Sequence, residues 1–365
     1  MPGMPIERLE VRAAIIPTDR PESDGTLAWD RTTIVLVQAH AGGEVGLGWT
    51  YADEATARLV ATTLVPHLVG HEAFDVEGAY ARSWASIRNL GRSGIGAMAV
   101  SAVDAALWEL KARLLRLPLF RLLGAAREVA EAYGSGGFTS YSHAELEAQL
   151  RGFAEAGLAS VKMKVGREPH LDAERVKLAR GAIGPRTQLF VDANGAYSCR
   201  QALALSSRFA EQGVVWFEEP VWAGDHTGLR RVRDRAPLGM EIAAGEYAYL
   251  PSDFRGLLEH GAVDVIQADA TRCGGPTGFM RAAALCDAFD APLSAHCAPQ
   301  LHAHLCCAAS RARHLEYFHD HARIERLLFD GVLSPVHGVL RPDPARPGLG
   351  VSVSWAAFER HEVRI

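Results

Sequence analysis

The sequence predicts an α/β fold: a closed barrel of parallel strands joined by helices, preceded by a smaller α+β cap. Three observations predict it. Apolar runs end again and again in an acid or a histidine, the segments between them have helical periodicity, and residues 1–125 lack this repeat.

The cap elements come first. Residues 6–16 and 32–37 are apolar and β-branched and predict strands. Ala41-Gly42-Gly43-Glu44 predicts a hairpin turn into Val45-Gly46-Leu47-Gly48-Trp49. Three helical segments follow, the clearest over 98–115. Between the first two strands, residues 18–25 carry Asp19, Arg20, Glu22 and Asp24 and predict a polar loop. The expected domains are 1–125 as cap, 126–330 as barrel, and a Pro/Gly-rich 331–365 that returns to the cap.

The barrel follows as a ladder. Leu189-Phe190-Val191 ends in Asp192, and Val214-Val215-Trp216-Phe217 ends in Glu218-Glu219-Pro220. Ile242-Ala243-Ala244-Gly245 ends in Glu246, and the run from Val263 ends in Asp269. Pro292-Leu293-Ser294-Ala295 ends in His296, and His314-Leu315 ends in Glu316. Counted from Lys164 the steps are 28, 26, 28, 23, 27 and 20 residues, the size of a strand, a helix and two loops. Val176, Ala179 and Ile183, and Ala202, Leu205 and Phe209, share helical faces. Repeated βα units of this size close most simply into a barrel, whose strand ends converge on one rim. Residues more than 150 positions apart would then share one pocket.

The rim chemistry is specific. Only four lysines occur among 38 basic residues, and Lys162 and Lys164 share one face of the strand Ser160-Val161-Lys162-Met163-Lys164-Val165. Like charges lower each other's pKa, which makes one lysine a usable base. Asp192, Glu218 and Glu246 supply hard oxygen ligands without sulfur, a set that selects Mg²⁺ or Mn²⁺ over Zn²⁺. A strand-end acid can merely cap the next helix, but six consecutive rungs are poorly explained that way.

The ordered set resembles the mandelate racemase subgroup of the enolase superfamily over nearly the whole chain. The resemblance runs through Lys162-x-Lys164, Asp192-x-Asn194, Glu218-Glu219-Pro220, Gly245-Glu246, Asp269 with Arg272-Cys273-Gly274-Gly275, His296, Glu316 and Arg346-Pro347-Gly348-Leu349-Gly350. It implies a (β/α)7β TIM-type barrel with an N-terminal α+β capping domain. It also implies Asp192, Glu218 and Glu246 as Mg²⁺ ligands, and Lys164 as a base whose pKa Lys162 depresses. His296, paired with Asp269, becomes the acid/base on the opposite substrate face. Glu316 becomes a hydrogen-bonding partner of the substrate carboxylate, and Asn194 a substrate contact. In that family the loop corresponding to 18–25 covers the site, where Arg20 would suit a polyhydroxylated substrate. Trp49 and Tyr51 are candidates for the pocket wall.

The expected reaction is Mg²⁺-dependent removal of the proton α to a carboxylate. Mg²⁺ takes up the developing charge. A protonated Glu316 shares it, and Asp269 fixes the His296 tautomer. Dehydration of an acid sugar to a 2-keto-3-deoxy acid is the leading expectation, and racemisation or epimerisation of a 2-hydroxy acid the alternative. A Schiff-base aldolase on a barrel and a non-catalytic interaction protein fit the acid ladder less well.

Composition bounds the rest. Hydrophobic content of 48% and charged content of 22% are those of a globular protein, and a net charge of −5 argues against a nucleic-acid partner. Neither a transmembrane stretch nor a signal pattern is evident, so a cytoplasmic protein binding a small carboxylate, as a homo-oligomer, is expected. Six cysteines without a Cys-x-x-Cys predict reduced thiols. His296, Cys297, His302, His304, Cys306 and Cys307 fit no common zinc spacing, and 301–305 reads more simply as a helix.

Overall fold

A computed structural model describes residues 3–365. The cap sheet is antiparallel: β1 (Arg8–Ser23), β2 (Ala28–Ala41) and β3 (Glu44–Tyr51), with a terminal strand Glu362–Val363 on the outer edge of β1. The cap helices are α1 (Glu54–Leu59), α2 (Val76–Ser86), α3 (Ile95–Leu114) and α4 (Leu119–Leu122).

β1 runs further than the sequence predicts. Pro17 has no N–H to give the ladder, and the β1–β2 register shifts between Pro17 and Glu22. Pairing then resumes at Glu22↔Trp29, so the expected 18–25 loop is largely strand. The turn itself is tight: Asp24 Oδ1 accepts from the N–H groups of Thr26 at 2.6 Å and Leu27 at 2.7 Å.

The barrel alternates β4 (Ala130–Gly136), α5 (His143–Glu155), β5 (Ser160–Lys164), α6 (Asp172–Ile183), β6 (Gln188–Asp192), α7 (Cys199–Ala210), β7 (Val214–Glu218) and α8 (His226–Arg233). It continues with β8 (Glu241–Ala244), α9 (Pro251–Glu259), β9 (Val265–Ala268), α10 (Gly275–Ala288), β10 (Leu293–Ala295), α11 (Pro299–Ala308) and β11 (Ala312–Phe318). All neighbouring barrel strands are parallel, and β11 pairs with β4 to close the ring. The helix α12 (His319–Leu328) follows the eighth strand. Ser142–Glu145 and Ser198–Gln201 capping boxes start α5 and α7.

Register puts the ladder at one height. Lys164 pairs with Asp192, and Asp192 with Glu218. Beneath them Tyr133, Phe190, Trp216, Ala243 and Val265 form a buried plug inside the barrel. The cap lies against the rim through α3: Asp104 accepts from Thr277 N and Oγ1, each at 2.8 Å, at the start of α10. Thr50 on β3 donates to the Thr271 carbonyl at 2.7 Å. Among the described residues no helix is long and apolar enough to cross a membrane.

Candidate active site

The C-terminal rim of the barrel gathers the ladder into one buried cluster. Asp192, Glu218 and Glu246 each offer an oxygen, all within 4.8 Å of one another, at the ends of β6 and β7 and just past β8. Glu246 Oε2 is buried and has no hydrogen-bond partner. Burial, with the charge of Asp192, pushes the Glu218 carboxyl well above the usual carboxylate range. Three crowded acids with an orphaned oxygen fit a hard divalent cation, which supplies the missing positive charge.

The two lysines hold this cluster from β5. Lys162 Nζ donates to Glu218 Oε1 at 2.6 Å and stands 2.8 Å from Glu316 Oε1. Lys164 Nζ donates to Asp192 Oδ2 at 2.5 Å. Burial works against both charges, but the surrounding carboxylates outweigh it, so both pKa values are raised. The depressed Lys164 pKa expected from sequence is therefore reversed in this arrangement. Lys162 does lower it, but Asp192 raises it more.

Opposite stands His296, just past β10. Its Nδ1 lies 2.8 Å from Asp269 Oδ2, and Asp269 Oδ1 accepts from Thr271 N and Oγ1, each at 2.7 Å. Although burial opposes it, the His296 contact holds Asp269 below the ordinary carboxylate range. An ionised Asp269 accepts, so Nδ1 carries the hydrogen and Nε2 is left 3.3 Å from Glu246 Oε2. Arg272 Nη1 donates to the Glu246 carbonyl at 3.2 Å, and its Nε lies 3.5 Å from Asp269, tying the two rungs together.

Glu316 differs from its expected neutral form. Its Oε1 accepts from Ser135 Oγ at 2.6 Å and its Oε2 from the Cys297 N–H at 3.0 Å. Burial opposes its charge, yet Lys162 holds its pKa well below the carboxylate range. Both oxygens are acceptors here, so Glu316 is a carboxylate rather than a donor.

Above the cluster opens a cavity of about 380 Å³, lined by Lys164, Asn194, Glu246, Arg272, His296 and Tyr51 among others. The cap closes one side through Asp24, Leu27, Trp29 and Arg31. Asn194 has φ 45° and a buried, unpartnered Oδ1. Tyr51 stacks on His321 with ring centroids 3.4 Å apart.

Two expected pocket residues lie elsewhere. Trp49 is fully buried and packs on Phe329 at 4.8 Å; it shares a strand face with Tyr51, and only Tyr51, at the end of β3, reaches the cavity. Arg20 is exposed and pairs with Glu145 of the α5 capping box, outside the cavity lining. Ser135, His321 and the cavity face of Trp29 carry no motif in the sequence, and Cys297 stands out there only as part of a zinc-like group that fits no zinc spacing. Arg272 does carry a signal, in the motif that follows Asp269.

The comparisons with known proteins agree with this fold. Residues 145–357 match the family described as "Enolase C-terminal domain-like". Residues 11–124 match "Mandelate racemase / muconate lactonizing enzyme, N-terminal domain". A mandelate racemase/muconate lactonizing enzyme-like protein from Rubrobacter xylanophilus is 54% identical, with TM-score 0.96 over 98% of this chain and 99% of that one. A racemase from Streptomyces coelicolor A3(2), solved with bound magnesium, is 29% identical, with TM-score 0.92 over 98% and 100% of the two chains. L-talarate/galactarate dehydratase of Salmonella typhimurium is 30% identical over 332 residues, 87% of this chain and 82% of that protein. Its structure liganded with Mg and L-lyxarohydroxamate superposes with TM-score 0.91 over 100% and 94% of the two chains, at 27% identity. With its cap and its barrel both matched, this chain belongs to the mandelate racemase/muconate lactonizing enzyme family, and is an enzyme of the enolase superfamily.

Proposed function

We propose that this protein dehydrates an acid sugar to a 2-keto-3-deoxy acid, with Mg²⁺ held by Asp192, Glu218 and Glu246 (Mn²⁺ is the substitute of similar chemistry). One observation carries the reading: Lys164 and His296 line the same cavity as Glu246, so two proton-transfer groups and the carboxylate cluster face one bound molecule. A bound Mg²⁺ would neutralise the charge that α-deprotonation places on the substrate carboxylate, and would draw Asp192 away from Lys164.

The residues divide the remaining work. Lys164 or His296 takes the α-proton as the C–H bond breaks. His296, protonated at Nε2, gives a proton to the β-hydroxyl, which leaves as water, and the resulting enol tautomerises to the 2-keto acid. Asp269 holds the imidazole in place through Nδ1 and fixes its tautomer. Glu316 is assigned to positioning: it holds Lys162 and the Cys297 amide in place. Asn194, through its unpartnered Oδ1, is assigned to a substrate hydroxyl. The polar cavity wall of Asp24, Arg31, Thr32, Thr33 and Asp53 suits a hydroxylated chain better than an aromatic ring. The similarity to L-talarate/galactarate dehydratase supports the same substrate class.

A panel of mono- and di-acid sugars incubated with protein and Mg²⁺ tests this. The expected result is a 2-keto acid from at least one member, lost on chelation and restored by Mg²⁺. Inversion of a 2-hydroxy acid without any 2-keto product would replace the dehydratase reading with the racemase one.

A further inference from the structure

The junction between cap and barrel holds a second group of ligating side chains that the active site does not use. Asp19 and Glu22 lie near the end of β1, and His319 opens α12 directly after the eighth barrel strand. Asp19 and Glu22 are three residues apart, so a regular strand would send them to opposite faces. The register shift between Pro17 and Glu22 breaks that alternation. As a result one ligand atom each from Asp19, Glu22 and His319 lie within 4.8 Å of one another. His319 Nε2 is 3.0 Å from Asp19 Oδ2. Two ligands at about 2.1 Å from one tetrahedral ion stand about 3.4 Å apart, so a separation wider by a few tenths of an ångström would seat a cation between them.

A second observation points to a ligand. Glu22 is 1% exposed, and its Oε2 accepts from Trp29 Nε1 at 2.9 Å, while its Oε1 has no hydrogen-bond partner. A buried carboxylate oxygen left unpaired is costly. The neighbouring cation does not relieve it, because Arg323 is engaged by Asp320 at 2.6 Å and by the Pro17 carbonyl at 2.7 Å.

We propose that Asp19, Glu22 and His319 form a second divalent-cation site that latches the β1–β2 hairpin to the barrel. An imidazole with two carboxylates favours a borderline transition ion such as Zn²⁺ or Mn²⁺ over Mg²⁺. Asp19 is exposed, so water completes the coordination. The latch sits beside the catalytic cavity, since Trp29, the partner of Glu22, and Asp24 and Leu27 of the turn line its wall. The site stands whatever reaction the cavity performs.

Equilibrium dialysis against Zn²⁺, with metal analysis of the full-length protein, tests the proposal without an activity assay. With excess Mg²⁺ present to fill the Asp192, Glu218 and Glu246 cluster, wild type should bind one Zn²⁺ equivalent. His319→Gln and Asp19→Asn should each bind it at least tenfold more weakly. Glu218→Gln should keep the His319-dependent equivalent, and Zn²⁺ should raise its melting temperature but not that of Glu218→Gln/His319→Gln. Because Asp19 is exposed, its substitution tests ligation without disturbing the core. A wild type that binds no Zn²⁺ under these conditions, or an equivalent that survives either His319→Gln or Asp19→Asn, overturns the proposal.

Discussion

Lys162 is the residue on which the charge balance of the site turns. It is wholly buried and lies within hydrogen-bond reach of both Glu218 and Glu316. Lys162→Met leaves those two buried carboxylates without their cation, and breaking a buried pair costs about 3–5 kcal/mol. A urea titration should therefore show a midpoint well below wild type, and an unchanged midpoint would mean that the acids find another partner. The pocket wall makes a second residue-level prediction. Arg31 lines the cavity, whereas Arg20 is tied to Glu145 outside it. Arg31→Ala should raise KM for di-acid sugars about tenfold, and Arg20→Ala should leave it within twofold. The reverse ranking in steady-state kinetics would place the hairpin differently over the substrate. Sequence could list both arginines but could not choose between them, because the choice depends on where the strand irregularity after Pro17 points each side chain.

Among the elements, the β3–α3 contact fixes how the cap holds its long helix. A Cβ on Gly46 would meet the Ala106 carbonyl oxygen at 2.2 Å, and one on Gly48 would meet that of Ala102 at 2.2 Å. These two glycines let a backbone lie directly on a helix, so Gly48→Ala forces α3 away. We expect a loss of about 1–3 kcal/mol, as for other overpacked sites, read as a lowered thermal midpoint. A neutral effect would show that α3 shifts freely. The alternating glycines were visible in sequence as part of a strand after a hairpin, but not their reason. The seven ladder strands were legible because each ends an apolar run in a charged or imidazole group. The first barrel strand, β4, was not: Ala130–Gly136 reads as small residues, because α5 packs so close that a Cβ on Gly134 would meet Phe153 at 2.4 Å.

For the whole molecule, burial of titratable groups sets an acid limit. Burial lowers the pKa of His304 to about 4, and of His314 and His321 to about 3. Each stays neutral in the fold and takes a proton on unfolding below its ordinary value near 6.5. On unfolding these three side chains bind three more protons, so their share of the stability falls by up to about 4 kcal/mol per pH unit once the pH is well below 6.5, while Glu22, Asp104 and Glu325, raised by burial to about 9, 8 and 8, hold protons in the fold and act in the opposite sense. The histidine share is isolated by the stability gap between wild type and His304→Gln in urea at pH 7, 6 and 5, which should change by about 1 kcal/mol per pH unit on the acid side, and a constant gap would contradict the neutral assignment. The overall architecture was readable from the ladder because its spacing is set by the barrel itself. The protonation of the site was not, since Asp192 and Glu316 act on the lysines only once the ring closes. In the proposed reaction Lys164 and His296 serve one bound carboxylate from two sides. The decisive measurement is α-proton exchange in D₂O for wild type, Lys164→Ala and His296→Asn, with Mg²⁺ and the best acid sugar. Wild type should incorporate deuterium or form the 2-keto acid, and each variant should lose overall turnover by at least a thousandfold. Exchange in at most one substrate configuration should survive in either variant. Normal turnover by both variants, with their fold and metal binding intact, would contradict that two-sided role.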